Sequence, residues 1–123
     1  MISIVDDDES IRAASKTLLR SAGYQVQTFA SADDFLSSGA LGLTECMILD
    51  VRMPGIDGLE LQRRLCDAGF RVPIVFITAH DDGTLRQRVI KAGAVDLLHK
   101  PFGANALLAS VQTALGSGQA RAQ

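Results

Sequence analysis

Cys46-Met47-Ile48-Leu49-Asp50-Val51-Arg52-Met53-Pro54-Gly55-Ile56-Asp57-Gly58 is the stretch that decides the fold. Its first four residues are apolar without alternation, the pattern of a strand covered on both faces. The run then delivers a carboxylate, Asp50, at its carboxyl end. Met53-Pro54-Gly55 and Asp57-Gly58 are backbone devices that turn the chain. From residue 58 the period becomes helical, with Leu59, Leu61 and Leu65 predicted inward and a stop at Ala68-Gly69. A buried strand that leads into a helix is half of a parallel βαβ unit.

The same grammar repeats on both sides. Apolar runs at Ile2–Val5, Tyr24–Phe29, Val72–Ile77 and Val95–Leu98 alternate with helical patterns over 9–22, 31–38, 82–92 and 104–115. The first helix is expected to bury Ile11, Ala14, Leu18 and Leu19, with Arg12, Ser15 and Lys16 elsewhere. The helix over 31–38 opens on Ser31, a plausible N-cap, with acids in its first turn. That over 82–92 is expected to bury Leu85, Val89 and Ile90, and that over 104–115 Leu107, Leu108, Val111 and Leu115. Tyr24–Phe29 alternates and predicts an edge strand. Five βα repeats with right-handed crossovers predict an α/β fold, a flavodoxin-like doubly wound (βα)5 sandwich with a five-stranded parallel sheet in order 2-1-3-4-5. Residues 116–123 have linker composition, which predicts one domain over 1–115 and then a flexible tail or the start of a linker.

Composition bounds the function. A chain of 123 residues, 47% hydrophobic and 21% charged, fits one globular domain with its own core. A net charge of −2 argues against nucleic-acid binding by this domain. Cys46 and Cys66 lie in apolar stretches and are expected as reduced, buried thiols; neither has a Cys or His at metal-ligand spacing. No apolar run approaches a membrane span, and the N-terminus lacks a basic leader, so the cytoplasm is the expected location.

Ligands of an open parallel sheet bind beyond the carboxyl ends of its strands. There the chain delivers Asp6-Asp7-Asp8-Glu9, then Asp50, Thr78 and Lys100. In the predicted order the first and third strands are neighbours, so their acids converge. Converging carboxylates repel unless a cation sits between them. Oxygen ligands favour a hard ion such as Mg²⁺ or Ca²⁺, and Mg²⁺ with a phosphate is the usual partner of phosphoryl transfer. An aspartate can accept a phosphoryl group, a lysine can neutralise it and a threonine can donate a hydroxyl to it.

Ile4-Val5-Asp6-Asp7-Asp8, Ile48–Gly58, Ile77-Thr78-Ala79-His80, Lys91-Ala92-Gly93-Ala94-Val95-Asp96 and Lys100-Pro101-Phe102, in that order, resemble the receiver domain of two-component response regulators, most closely the FixJ-like group. The resemblance covers roughly residues 1–115. It implies that Asp50 accepts a phosphoryl group from a histidine kinase, and that Asp6, Asp7, Asp50 and the backbone carbonyl of Arg52 hold Mg²⁺. It implies a switch hydroxyl at Thr78, a phosphoryl contact from Lys100, and a cis Lys100–Pro101 bond. The face made by the fourth helix, fifth strand and fifth helix, basic at Arg86, Arg88 and Lys91, would carry a phosphorylation-dependent homodimer or an output domain. One position departs: Leu97 stands where the family usually has Phe or Tyr, so readout through a rotating ring is not expected.

Plainer readings stand beside these. Asp6–Glu9 alone suits an acidic helix start, Thr78 an ordinary strand end, and Lys100 a solvated edge. His80 reads as a loop histidine and His99 as a surface residue. A pseudo-receiver would lack Asp50, the acidic pair or Lys100. A haloacid-dehalogenase-type phosphatase would carry a second aspartate at position 52, where this chain has Arg52. A glycine-rich phosphate loop after the first strand is absent.

Overall fold

The computed structural model describes residues 1–80 and 83–122. Strands β1 (Ile2–Val5), β2 (Val26–Phe29), β3 (Cys46–Asp50), β4 (Ile74–Thr78) and β5 (Asp96–His99) form one sheet in the order β2-β1-β3-β4-β5. Every pairing is parallel, as the sequence predicts. Helices α1 (Glu9–Ser21), α2 (Ala32–Ser37), α3 (Gly58–Asp67), α4 (Gly83–Lys91) and α5 (Ala104–Ala122) cover it, with a 3-10 turn at Ala40–Leu43 after α2.

The core has two layers. Phe35, Leu49, Leu61, Phe76 and Leu85 pack on the side of α2, α3 and α4. Ile4, Leu19, Ile48, Ile77 and Leu107 pack on the side of α1 and α5. Successive residues of β1, β3 and β4 point into opposite layers and are buried throughout, which is why those runs do not alternate. In β2 the partly buried Val26 and Thr28 flank the exposed Gln27, as befits an edge strand. The N-caps of α1, α2 and α3 are Asp8, Ser31 and Asp57, each accepting a backbone N–H from the first turn.

Several boundaries and faces differ from the sequence expectations. β4 starts at Ile74, after Pro73, which has no N–H to give a ladder. β2 starts at Val26 rather than Tyr24, and β5 is displaced by one residue from Val95–Leu98. In α1 the inward face is Ile11, Ser15 and Leu19, spaced four apart, so Ser15 is buried and Ala14 exposed. Hydrophobicity alone chose the wrong neighbour. In α4, Leu85 and Val89 are buried but Ile90 is 45% exposed, because one further residue turns a side chain about 100° off the core face. Cys66 is exposed on α3, against the expectation of two buried thiols; Cys46 is buried. The helix expected over 104–115 runs to Ala122, so the expected tail is helical as far as that residue. Residues 82 and 123, assigned to the fourth helix and the tail, lie outside the described residues.

Candidate functional site

Register places the chemistry at one rim of the sheet. Val5 lies beside Leu49, Asp50 beside Ile77, and Thr78 beside His99. Asp6 follows β1, Asp50 ends the adjacent β3 and Lys100 follows β5, two strands over, all at the same rim of the sheet. Lys100 is joined to Pro101 by a cis peptide bond, as expected.

Asp6 is fully buried and held at three atoms. Its N–H donates to the Phe29 carbonyl at 3.1 Å, and its Oδ1 accepts from the Asp8 N–H at 2.9 Å. Its carbonyl accepts from Arg12 Nη1 at 2.8 Å. Its Oδ2 lies 2.9 Å from Lys100 Nζ, an ion pair off the hydrogen-bond direction; Oδ2 has no hydrogen-bond donor among the described residues. The same ammonium is 3.4 Å from Asp50 Oδ2, while Asp50 Oδ1 accepts from the Arg52 N–H at 3.3 Å. Carboxylate oxygens of Asp6, Asp7 and Asp50 lie within 4.8 Å of one another. Asp7, Asp50, Arg52, His80 and Lys100 line the crevice above them.

The electrostatics follow from this crowding. Burial, and then the neighbouring Asp6, push the Asp50 carboxyl up to about 7, with Lys100 opposing. Burial would depress the Lys100 ammonium, but the two carboxylates outweigh it and hold it above its usual range. A buried carboxylate oxygen ion-paired to Lys100, with no hydrogen bond among the described residues, and an oxygen-only donor set fit a hard divalent cation.

Asp8 does not join this cluster, because its carboxylate caps α1 through the N–H groups of Ser10 and Ile11. The acidic run thus serves both readings offered for it: Asp6 and Asp7 join the carboxylate cluster with Asp50, while Asp8, on the crevice rim, and Glu9 open the helix. Thr78 is buried, and its Oγ1 is bonded within its own loop, to the N–H and carbonyl of His80 at 3.1 Å each. Leu97 is 1% exposed and sits in the core with Leu85 and Val89. Its N–H donates to Asp96 Oδ1 at 2.8 Å and its carbonyl accepts from Arg86 Nη2 at 2.9 Å.

Sequence reasoning missed how closely the start of α3 approaches the acidic strand end. A Cβ on Gly58 would collide with the Asp50 carbonyl oxygen and stand 3.1 Å from Val51 Cα. Gly58 also donates its N–H to the Val51 carbonyl at 2.9 Å. The absence of a side chain lets α3 start directly against the acidic strand end. The glycine was visible in the sequence as a turn residue; its partner across the turn was not.

The response regulator receiver domain family matches residues 2–112. This chain belongs to the response regulator receiver family. Receiver domains are signalling modules of two-component systems, phosphorylated on an aspartate to control an output domain, and in general they bind Mg²⁺. The chain is 44% identical over 115 residues to the response regulator protein TmoT of Ectopseudomonas mendocina, covering 94% of this chain and 52% of TmoT. It is 39% identical over 123 residues to the transcriptional regulatory protein FixJ of Bradyrhizobium diazoefficiens, covering 99% of this chain and 60% of FixJ. Among solved structures, the response regulator StyR superposes with a TM-score of 0.90 at 44% identity, over 99% of this chain and 62% of that one. The N-terminal domain of FixJ superposes with a TM-score of 0.83 at 32% identity, over 94% and 92%. The receiver spans half to three fifths of the length of these curated relatives. Among its described residues no helix is long and apolar enough to cross a membrane.

Proposed function

We propose that Asp50 is the phosphoryl acceptor of this receiver and that the switch operates through Thr78 and Lys100. One observation carries the reading: Asp50 ends the central strand within reach of a buried carboxylate, an exposed one and a lysine at the same time. In the transfer, an Asp50 carboxylate oxygen attacks the phosphorus of a kinase phosphohistidine. The phosphorus–nitrogen bond breaks, the imidazole leaves with the electron pair, and an acyl phosphate forms on Asp50. Asp6, Asp7, Asp50 and the Arg52 carbonyl are the residues that would hold Mg²⁺. When bound, that ion supplies positive charge against the carboxylates and the phosphoryl oxygens. Lys100 neutralises a phosphoryl oxygen once the charge of Asp50 has moved outward. The Thr78 hydroxyl leaves His80 to donate to the phosphoryl group, which draws the loop before α4 inward.

The domain is a signalling acceptor whose own chemistry is limited to taking and losing the phosphoryl group. A cognate histidine kinase or phosphotransfer protein is the proposed donor, and the cytoplasm the proposed location. Residues 1–115 form the proposed switch unit, with 116–123 leading toward a transcriptional output domain or a partner. The surface of α4, β5 and α5 is the proposed homodimer face. Leu97, locked in the core, leaves the shift of the loop before α4 as the readout in place of a swinging ring.

The test is intact mass after incubation with acetyl phosphate, with and without Mg²⁺. One Mg²⁺-dependent phosphoryl adduct is expected on the wild type and none on Asp50→Asn. Normal labelling of that variant rejects Asp50 as acceptor. No adduct on folded wild type favours a partner-binding module that takes no phosphate.

A further inference from the structure

Arg12 has no part in the chemistry just described, yet it reaches the site. It lies on the first turn of α1, half-buried, with Nη1 2.8 Å from the carbonyl oxygen of Asp6. That carbonyl belongs to the first residue beyond β1. The other two ties on Asp6, from Asp8 N–H and to the Phe29 carbonyl, are made by backbone groups. Apart from the Lys100 ion pair on Oδ2, Arg12 supplies the side-chain tie, through a cationic group that only donates. Together the three ties leave Oδ2 as the one polar atom of Asp6 without a hydrogen-bond partner, buried and beside Lys100.

We propose that Arg12 is a positioning residue for the divalent-cation site: it pins the Asp6 carbonyl so that Asp6 Oδ2 and the Asp7 carboxylate are held ready for the ion. It touches neither the ion nor the phosphoryl group. The inference rests on the cation reading given above.

Geometry and charge predict opposite signs here, which makes the idea testable. A guanidinium near a cation site repels the cation, so its removal would tighten binding if charge were all that mattered. If Arg12 acts by holding the loop, its removal weakens binding. The experiment is a Mg²⁺ titration of the wild-type chain, Arg12→Ala and Arg12→Lys, followed by calorimetry or amide shifts. Arg12→Ala is expected to raise the Mg²⁺ Kd about tenfold, the size of one charge-assisted hydrogen bond, and Arg12→Lys less. Phosphorylation from acetyl phosphate is expected to recover at saturating Mg²⁺. Unchanged or tighter Mg²⁺ binding by Arg12→Ala overturns the proposal, as does a phosphorylation defect that persists at saturation. If Arg12→Ala loses its native spectrum, Arg12→Gln, uncharged but able to donate, is read by the same criteria. Failure of the wild type itself to bind Mg²⁺ overturns the cation reading instead.

Discussion

Asp50, the proposed phosphoryl acceptor, is also a costly group to bury. Burial and Asp6 raise its carboxyl from 3.8 to about 7 in the metal-free protein. Between those values the folded chain keeps a proton that the unfolded chain has lost, so the folded state binds more protons. Stability is then greatest below about pH 4 as far as this group is concerned, and falls as pH rises toward about 7. In urea unfolding without divalent cation, the midpoint is expected to decline over that interval, and Asp50→Asn is expected to flatten the decline. A flat wild-type profile would contradict it. Cysteine chemistry gives a second residue-scale expectation. Burial pushes the Cys46 thiol up to about 12, whereas Cys66 is exposed. A thiol reagent at neutral pH is expected to modify Cys66 alone in the folded chain and both cysteines in denaturant. The identities of Asp6, Asp50 and Lys100 were legible in the sequence because a strand end is easy to locate and its side chain has few places to go. The exposure of Cys66 was not, because it depends on the phase of a helix whose own leucines leave the angle loose.

At the scale of the element, the junction of β3 and α3 leaves no room for a side chain at Gly58. Gly58→Ala must move either the start of α3 or the strand that carries Asp50. A loss of about 1–3 kcal/mol in unfolding free energy is expected, the range for an overpacked site, together with a lower phosphorylation rate. A variant as stable and as active as wild type would show that the junction yields. The β5 edge of the sheet is held differently. Arg86 of α4 binds the Leu97 carbonyl, Asp96 takes the Leu97 N–H, and Ser110 of α5 donates to Asp96 at 2.8 Å. Side chains thus link α4, β5 and α5 where the sheet offers no further strand. Strand positions were largely legible, since a run of apolar residues in a parallel sheet is bounded by its turns. Helix faces were less so. Ser15 is inward because it lies four residues from both Ile11 and Leu19, and Ile90 is outward because Val89 already occupies the core direction. In each case geometry overrode side-chain polarity.

Across the whole molecule, the arrangement divides labour between the centre of the sheet and its margins. β3 is paired on both sides, by β1 and β4, and all five of its residues are buried. β2 and β5 are edges, with partly exposed residues. Native-state hydrogen exchange reports how such a structure opens. The amides of Ile48 and Leu49 are expected to exchange only on global unfolding, and that of Gln27 through smaller local openings. Equal rates along the two strands would show a sheet that opens as one unit. The fold hangs Asp50, the proposed acceptor, from the strand expected to exchange most slowly, while β2 and β5 form the margins. Such a domain can rearrange its outer surface many times within the lifetime of one intact centre. With Asp50 as the proposed acceptor, the clock of the signal would be set by the chemistry on that residue, separately from the breathing of the fold that holds it.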